Sequence, residues 1–237
     1  MRTLMLTILI LAILAAPVLA ESTELGEGRW FTLFDTENRV LLRTGIRIHV
    51  GDRFLDGDNC MYQVYKVDEK RLQAWAKEVE DSVSRAALPA AGLPGANNNK
   101  IAVYHTHSGE SFQPSDGVAS TDQGPGGVYK VGEQLSRRVE KHNTIKVIHC
   151  QETFFPYSGS YRRSRSAAIN LAEDGDLDAI FDLHRDAAPA GEYYREIDDM
   201  QLTQVMIVVG TQNPAFTANE EFAWQLKEIA DKIYPNL

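Results

Sequence analysis

The chain has 237 residues, 43% hydrophobic and 24% charged, a globular composition that excludes a collagen-like, low-complexity or wholly disordered protein. Its 24 Lys+Arg against 33 Asp+Glu give a net charge of -9, the wrong sign for a partner of nucleic-acid phosphates. In chain order, Arg2, the apolar run Leu4 to Ala16 and the small-residue stretch Pro17-Val18-Leu19-Ala20 read as a signal peptide over 1–20, with cleavage before Glu21. The alternative is an uncleaved membrane anchor. Both readings place the working part outside the cytoplasmic membrane, in the periplasm, the cell wall or the medium.

Residues 21–87 read as a small β-rich region with a trailing helix. Trp30 to Phe34, Arg39 to Leu42, Ile46 to Val50 and Met61 to Val67 are the expected strands, and the helix spans Asp68 to about Ala87. Residues 88–99, with two Pro, two Gly and three Asn, form a linker. Over 100–237 the pattern changes. Strands are expected at Ile101 to Tyr104, Ile145 to Ile148, Asp178 to Leu183 and Val205 to Val209. Helices are expected on the stripe Val128, Val131, Leu135 and Val139, and over Tyr161 to Ala172. A closing helix carries Phe222, Leu226, Ile229 and Ile233 on one face, after a capping box of Thr217 and Glu220. Alternation of this kind predicts an α/β domain, a mostly parallel sheet flanked by helices. Cys60 and Cys150 are far apart and outside any CxxC pattern, leaving one disulfide or two buried thiols as the alternatives.

Two motifs fall at the carboxyl ends of expected strands, where open α/β sheets place their sites. They are Tyr104-His105-Thr106-His107-Ser108-Gly109-Glu110-Ser111-Phe112 and Phe181-Asp182-Leu183-His184-Arg185-Asp186. His107 and Glu110, three apart in a turn, converge on one point, and His184 from a neighbouring strand end completes a His/Glu/His set. Three protein ligands and one water is the open arrangement of catalytic zinc. The competing reading makes these residues hydrogen-bonded core histidines and a loop acid. His105 alternates with His107 and lines the pocket as a proton carrier or oxyanion donor. Arg185 either stabilises an oxyanion or pairs with Asp182 or Asp186, and these two acids also suit the orientation of His184 or His105. Tyr161 and Arg165, four apart, are pocket candidates for substrate, whereas Arg163 reads as a solvated face. Asn213-Pro214 and Asn219 border the site, and Tyr193-Tyr194 lies in a loop over 187–199 of a length that suits a flap.

The two motifs, with Val131-Gly132-Glu133-Gln134-Leu135, Ser160-Tyr161-Arg162-Arg163-Ser164-Arg165 and Val205 to Thr211, resemble the stage II sporulation protein P family in order and spacing. The resemblance runs from Lys100 to the C-terminus. It implies a zinc-dependent hydrolase of bacterial peptidoglycan, an N-acetylmuramoyl-L-alanine amidase with endopeptidase cleavage of peptide crosslinks, on an α/β zinc-amidase fold. It implies metal roles for His107, Glu110 and His184, with Glu133 as the rival of Glu110. Related amidases carry a catalytic Glu after a late strand, where this chain reads Val208-Val209-Gly210-Thr211. Asp186, His105 and Glu220 are therefore the candidates for general base. The expected partners are peptidoglycan and a second cell-wall lytic protein. Two other readings stay open: a catalytically silent wall-binding scaffold, and a secreted metallopeptidase.

Overall fold

The computed structural model describes residues 24–26, 28–80, 99–142, 144–197 and 199–234. The expected signal segment lies outside these residues, as does the stretch 81–98 with nearly all of the expected linker. Five strands come first: β1 (Phe31–Phe34), β2 (Val40–Thr44), β3 (Arg53–Leu55), β4 (Met61–Asp68) and β5 (Gln73–Glu78). They form one sheet in the order β2-β1-β5-β4-β3, with β1 and β5 parallel and the other pairs antiparallel. Phe31, Leu33, Val64, Ala74 and Ala76 supply its core, joined by Leu25 and Ile48 from the flanking segments.

Of the helix expected from Asp68 to about Ala87, residues 81–87 lie outside the described residues, and the rest is instead a turn and a strand. The Asp68 carboxylate accepts the backbone N–H groups of Lys70 and Arg71, both at 3.1 Å, and Leu72 takes a φ of 53°. The chain thereby reverses into β5, which inserts between β1 and β4 and buries Ala74 and Ala76 at a strand period of two. Burial between two strands overrides the local helix preference. The stretch Ile46 to Val50 is not a strand either. Ile46 makes one bridge, to Glu24, and Ile48 drops into the core before a turn at Gly51, whose φ of 98° suits glycine.

The second half contains β6 (Lys100–Tyr104), α1 (Gln113–Asp116), α2 (Gly127–His142), β7 (Lys146–His149), α3 (Ser160–Gly175) and β8 (Ala179–Asp182). After these come α4 (Ala190–Tyr193), β9 (Tyr194–Ile197), β10 (Met200–Thr203) and α5 (Phe216–Ile233). Strand β6 lies between β7 and β8, and both pairings are parallel. The chain is thus α/β, but its larger sheet is mixed and parallel pairing dominates only these three strands. Val205 to Val209 joins no strand, and Val205 is 81% exposed. The expected flap over 187–199 contains α4 and the first strand of the β9–β10 hairpin. Helix α5 starts at Phe216 without a side-chain cap, so Thr217 lies inside it. Its Phe222 meets Phe181 at 6.0 Å between ring centres, while Ile229 and Ile233 remain exposed. Cys60 and Cys150 are free thiols.

Helix α2 forms where expected and buries Val128 and half-buries Val139, but the middle of the expected stripe turns outward. Gly132 and Ser136 are buried, whereas Val131 and Leu135 are exposed. The reason is crowding: a Cβ on Gly132 would lie 2.6 Å from a ring nitrogen of His149 and 2.7 Å from one of His105. Only a residue without a side chain admits both imidazoles beneath the helix. Gly132→Ala is therefore expected to destabilise the protein by about 1–3 kcal/mol, the usual cost of overpacking, read as a lower midpoint of denaturant unfolding.

Candidate metal centre

The carboxyl end of β6 runs into a turn, His105 to Ser111, in which every residue is buried. A buried turn must satisfy its own polar backbone. Here Glu110 N–H donates to His107 O at 3.1 Å, and Ser111 N–H to Ala119 O at 2.9 Å. Gly109 O accepts Thr121 N–H at 2.8 Å, and a Cβ on Gly109 would lie 1.9 Å from Thr121 O, so the position needs glycine. Ser108 Oγ accepts Phe154 N–H at 2.8 Å, tying the turn to the segment before α3.

This turn aims two side chains at one point, and the end of β8 supplies a third. His107 Nδ1 is hydrogen-bonded to Ser160 Oγ at 3.0 Å, which leaves Nε2 facing the cluster. His184 Nε2 lies 3.0 Å from Asp182 Oδ2, which leaves Nδ1 facing the same point. Asp182 is itself fixed by Thr106, whose N–H donates at 2.9 Å and whose hydroxyl donates at 2.5 Å. Glu110 Oε2 accepts Arg185 N–H at 2.6 Å and lies 3.7 Å from His184 Nδ1. The fourth member is Glu24, from the segment preceding β1. Its Oε2 is 3.2 Å from His107 Nε2 and its Oε1 is 3.5 Å from His184 Nδ1. One donor atom from each of Glu24, His107, Glu110 and His184 falls within 4.8 Å of the others.

His107 Nε2 and His184 Nδ1 are buried without a hydrogen-bond partner; Glu24 lies at ion-pair distance from both. Leaving a buried polar atom unpaired costs about 1–3 kcal/mol, and a chain rarely does so twice in one place without a ligand to satisfy both. Two imidazole nitrogens and two carboxylates suit zinc, so the donor set fits the group that the sequence implies. The Ser160 hydroxyl orders His107 and the Asp182 carboxylate orders His184, as outer partners of metal ligands do.

The charges agree with such a site. Burial disfavours the His184 cation, but Asp182 and Glu110 outweigh it and push the group up to about 11. Burial likewise opposes the Glu24 carboxylate, yet His107, the charge of His184 and the Tyr161 hydroxyl hold it at about 2. Tyr161 Oη donates to Glu24 Oε1 at 2.7 Å and Tyr157 Oη to Oε2 at 3.2 Å. Tyr157 also stacks on His107, with ring centres 4.0 Å apart and planes 10° apart. Both tyrosines are partly exposed and form the wall between the cluster and solvent.

His107, Glu110, His184 and Tyr161 meet at this point; the other expected residues stand elsewhere. Glu133 is exposed on α2 and pairs with Arg137 at 2.5 Å, so it is no rival of Glu110. The Asp186 carboxylate accepts Thr44 Oγ1 at 2.7 Å and Gly45 N–H at 2.6 Å, docking the N-terminal sheet. Both ring nitrogens of His105 are engaged, with Leu183 O at 3.0 Å and His149 Nε2 at 2.8 Å. Glu220 is 3.7 Å from Arg53. The Arg185 guanidinium donates to Ser111 O at 3.1 Å and Ala119 O at 2.7 Å, clamping the turn. Arg165 is exposed one turn beyond Tyr161, and Arg163 caps Phe154 O at 2.9 Å. Glu24 and Tyr157 carry no pattern that marks them in advance, and Ser160 opens a quoted motif without a role assigned to it. They reach the site through long-range packing.

Two measurements probe this arrangement. Asp182→Asn weakens the partner that orients His184 and should lower zinc affinity about 10–100-fold in a competition titration. His105 is held down at about 4, first by burial, against an ordinary 6.5. A histidine depressed in the folded state contributes stability above its unfolded value, and that stability is lost as pH falls through the folded one. In chelator, the thermal midpoint of the native chain should drop between pH 6.5 and 4 by more than that of His105→Gln.

No solved structure matches the chain. The stage II sporulation protein P of Bacillus subtilis (strain 168) is 26% identical over 187 residues, covering 73% of this chain. The chain spans 47% of that relative's length. Residues 60–237 match the family described as Stage II sporulation protein P. The match begins well before Lys100, taking in β4 and β5, and it contains His107, Glu110, Asp182 and His184 but not Glu24. A match over three quarters of the sequence, on the residues that build the site, makes this chain a member of the stage II sporulation protein P family.

Proposed function

We propose that this chain is an exported, zinc-dependent hydrolase of bacterial peptidoglycan, an N-acetylmuramoyl-L-alanine amidase that also opens peptide crosslinks, on a zinc-amidase-like fold. The observation that carries the reading is the pair of buried, unpaired nitrogens, His107 Nε2 and His184 Nδ1, converging with two carboxylates inside a family named for sporulation. Export rests on the signal-like residues 1–20. Peptidoglycan, with a second wall-lytic protein as partner, rests on the family alone.

His107, Glu110 and His184 would hold the metal. Zinc so bound supplies a water of pKa about 7 and polarises a carbonyl. The chain's own groups do the rest. Ser160 and Asp182 fix the two imidazoles, so that each presents one nitrogen inward. Arg185 N–H holds one oxygen of Glu110. The Tyr157 and Tyr161 hydroxyls converge on the position beside the ligands, where a substrate carbonyl would accept from them, and their rings limit water access.

One observation favours the silent scaffold. Glu24 gives the cluster a fourth protein side chain, and a closed set of four is the form of structural zinc. Digestion of purified peptidoglycan, read by mass spectrometry, separates the readings. Free stem peptides with intact glycan, lost in chelator, restored by zinc and absent in His184→Ala, are expected. Release unaffected by a strong chelator would refute the zinc mechanism, and preference for ordinary protein substrates would favour the metallopeptidase.

A further inference from the structure

We infer that Glu24 is a fourth metal ligand, delivered by the N-terminal segment, that closes the site and holds the hydrolase latent. The inference rests on the metal-hydrolase reading above and adds its control. Tetrahedral zinc with bonds of about 2.0–2.1 Å sets its ligand atoms about 3.3–3.4 Å apart. Glu24 Oε2 stands 3.2 Å from His107 Nε2, and Glu24 Oε1 stands 3.5 Å from His184 Nδ1. A carboxylate serving as general base would face a water in the fourth position, one bond further out. Glu24 instead sets one oxygen at about that spacing from each imidazole, inside the 4.8 Å that spans all four donors.

Its placement belongs to the N-terminal sheet. Leu25, the next residue, is buried in that sheet's core and donates its N–H to Gly45 O at 2.7 Å, and Glu24 bridges Ile46. The second half holds its carboxylate through the Tyr157 and Tyr161 hydroxyls and the two imidazoles. A carboxylate between two imidazoles and two phenols has the form of the acid released by amide hydrolysis. Glu24 therefore imitates a product, and the two tyrosines mark where the substrate carbonyl sits once the segment withdraws. A catalytic site needs that position open.

The test uses the full chain and three variants, Glu24→Gln, Glu24→Ala and Glu24→Asp. The last keeps the charge but shortens the reach, and it serves where the others fail to fold. Zinc affinity is measured by competition titration, the ligand set by the visible spectrum of the cobalt(II)-loaded protein, and turnover by peptide release from peptidoglycan. Zinc affinity about tenfold weaker, an altered cobalt spectrum and faster release than the native chain are expected in the Gln and Ala variants, with Asp between. Unchanged affinity and spectrum would overturn the ligand assignment. Weaker affinity together with lost release would overturn the latch and make Glu24 a group the chemistry requires. A native chain that binds no zinc, or variants that all bind it and never cleave, would bring down the hydrolase reading itself.

Discussion

The structure depends on making a buried polar turn tolerable. Seven consecutive residues, His105 to Ser111, are enclosed at the end of β6, and three carry side chains that are charged or readily become so: His105, His107 and Glu110. Water cannot satisfy them, so the protein must. Thr121, Ala119 and the Arg185 guanidinium meet the turn's backbone; Ser160, Leu183 and His149 meet its imidazoles. What is left over is a set of atoms pointing at one another across a space suited to a cation. The site follows from where that satisfaction stops.

Charge balance follows from the same enclosure. Three carboxylates, Glu24, Glu110 and Asp182, surround His184; Asp182 and Glu110 outweigh burial and favour its protonated form. A divalent ion and that proton compete for one nitrogen. An ion bound at this cluster would displace that proton, and its uptake would depend on pH.

Much of this was legible in the sequence because strand ends are local. The spacing of His107 and Glu110, and the position of His184 after an apolar run, required no knowledge of the rest of the fold. The Gly132 face of α2 was not legible, because the apolar stripe Val131 and Leu135 looks inward by pattern and is turned outward by two imidazoles. Asp68 onward reads as helix, and only the presence of β1 and β4 on either side makes it a strand. Val205 to Val209 has strand composition, but pairing is a property of a neighbour, and the described structure gives it none. Glu24 is the strongest case. It stands more than eighty residues before His107, and what carries it there is the packing of Leu25.

Asp186 carries a consequence beyond its hydrogen bonds. It follows His184 by two residues on the same extended segment, and it is the anchor that receives Thr44 and Gly45 from the other sheet. The same Gly45 accepts the N–H of Leu25, next to Glu24. One short stretch of chain thus acts as a common mounting for both halves of the molecule, with a ligand on each side of it. A displacement of the N-terminal sheet against the second half would therefore pass through this mounting into the spacing between Glu24 and the two imidazoles.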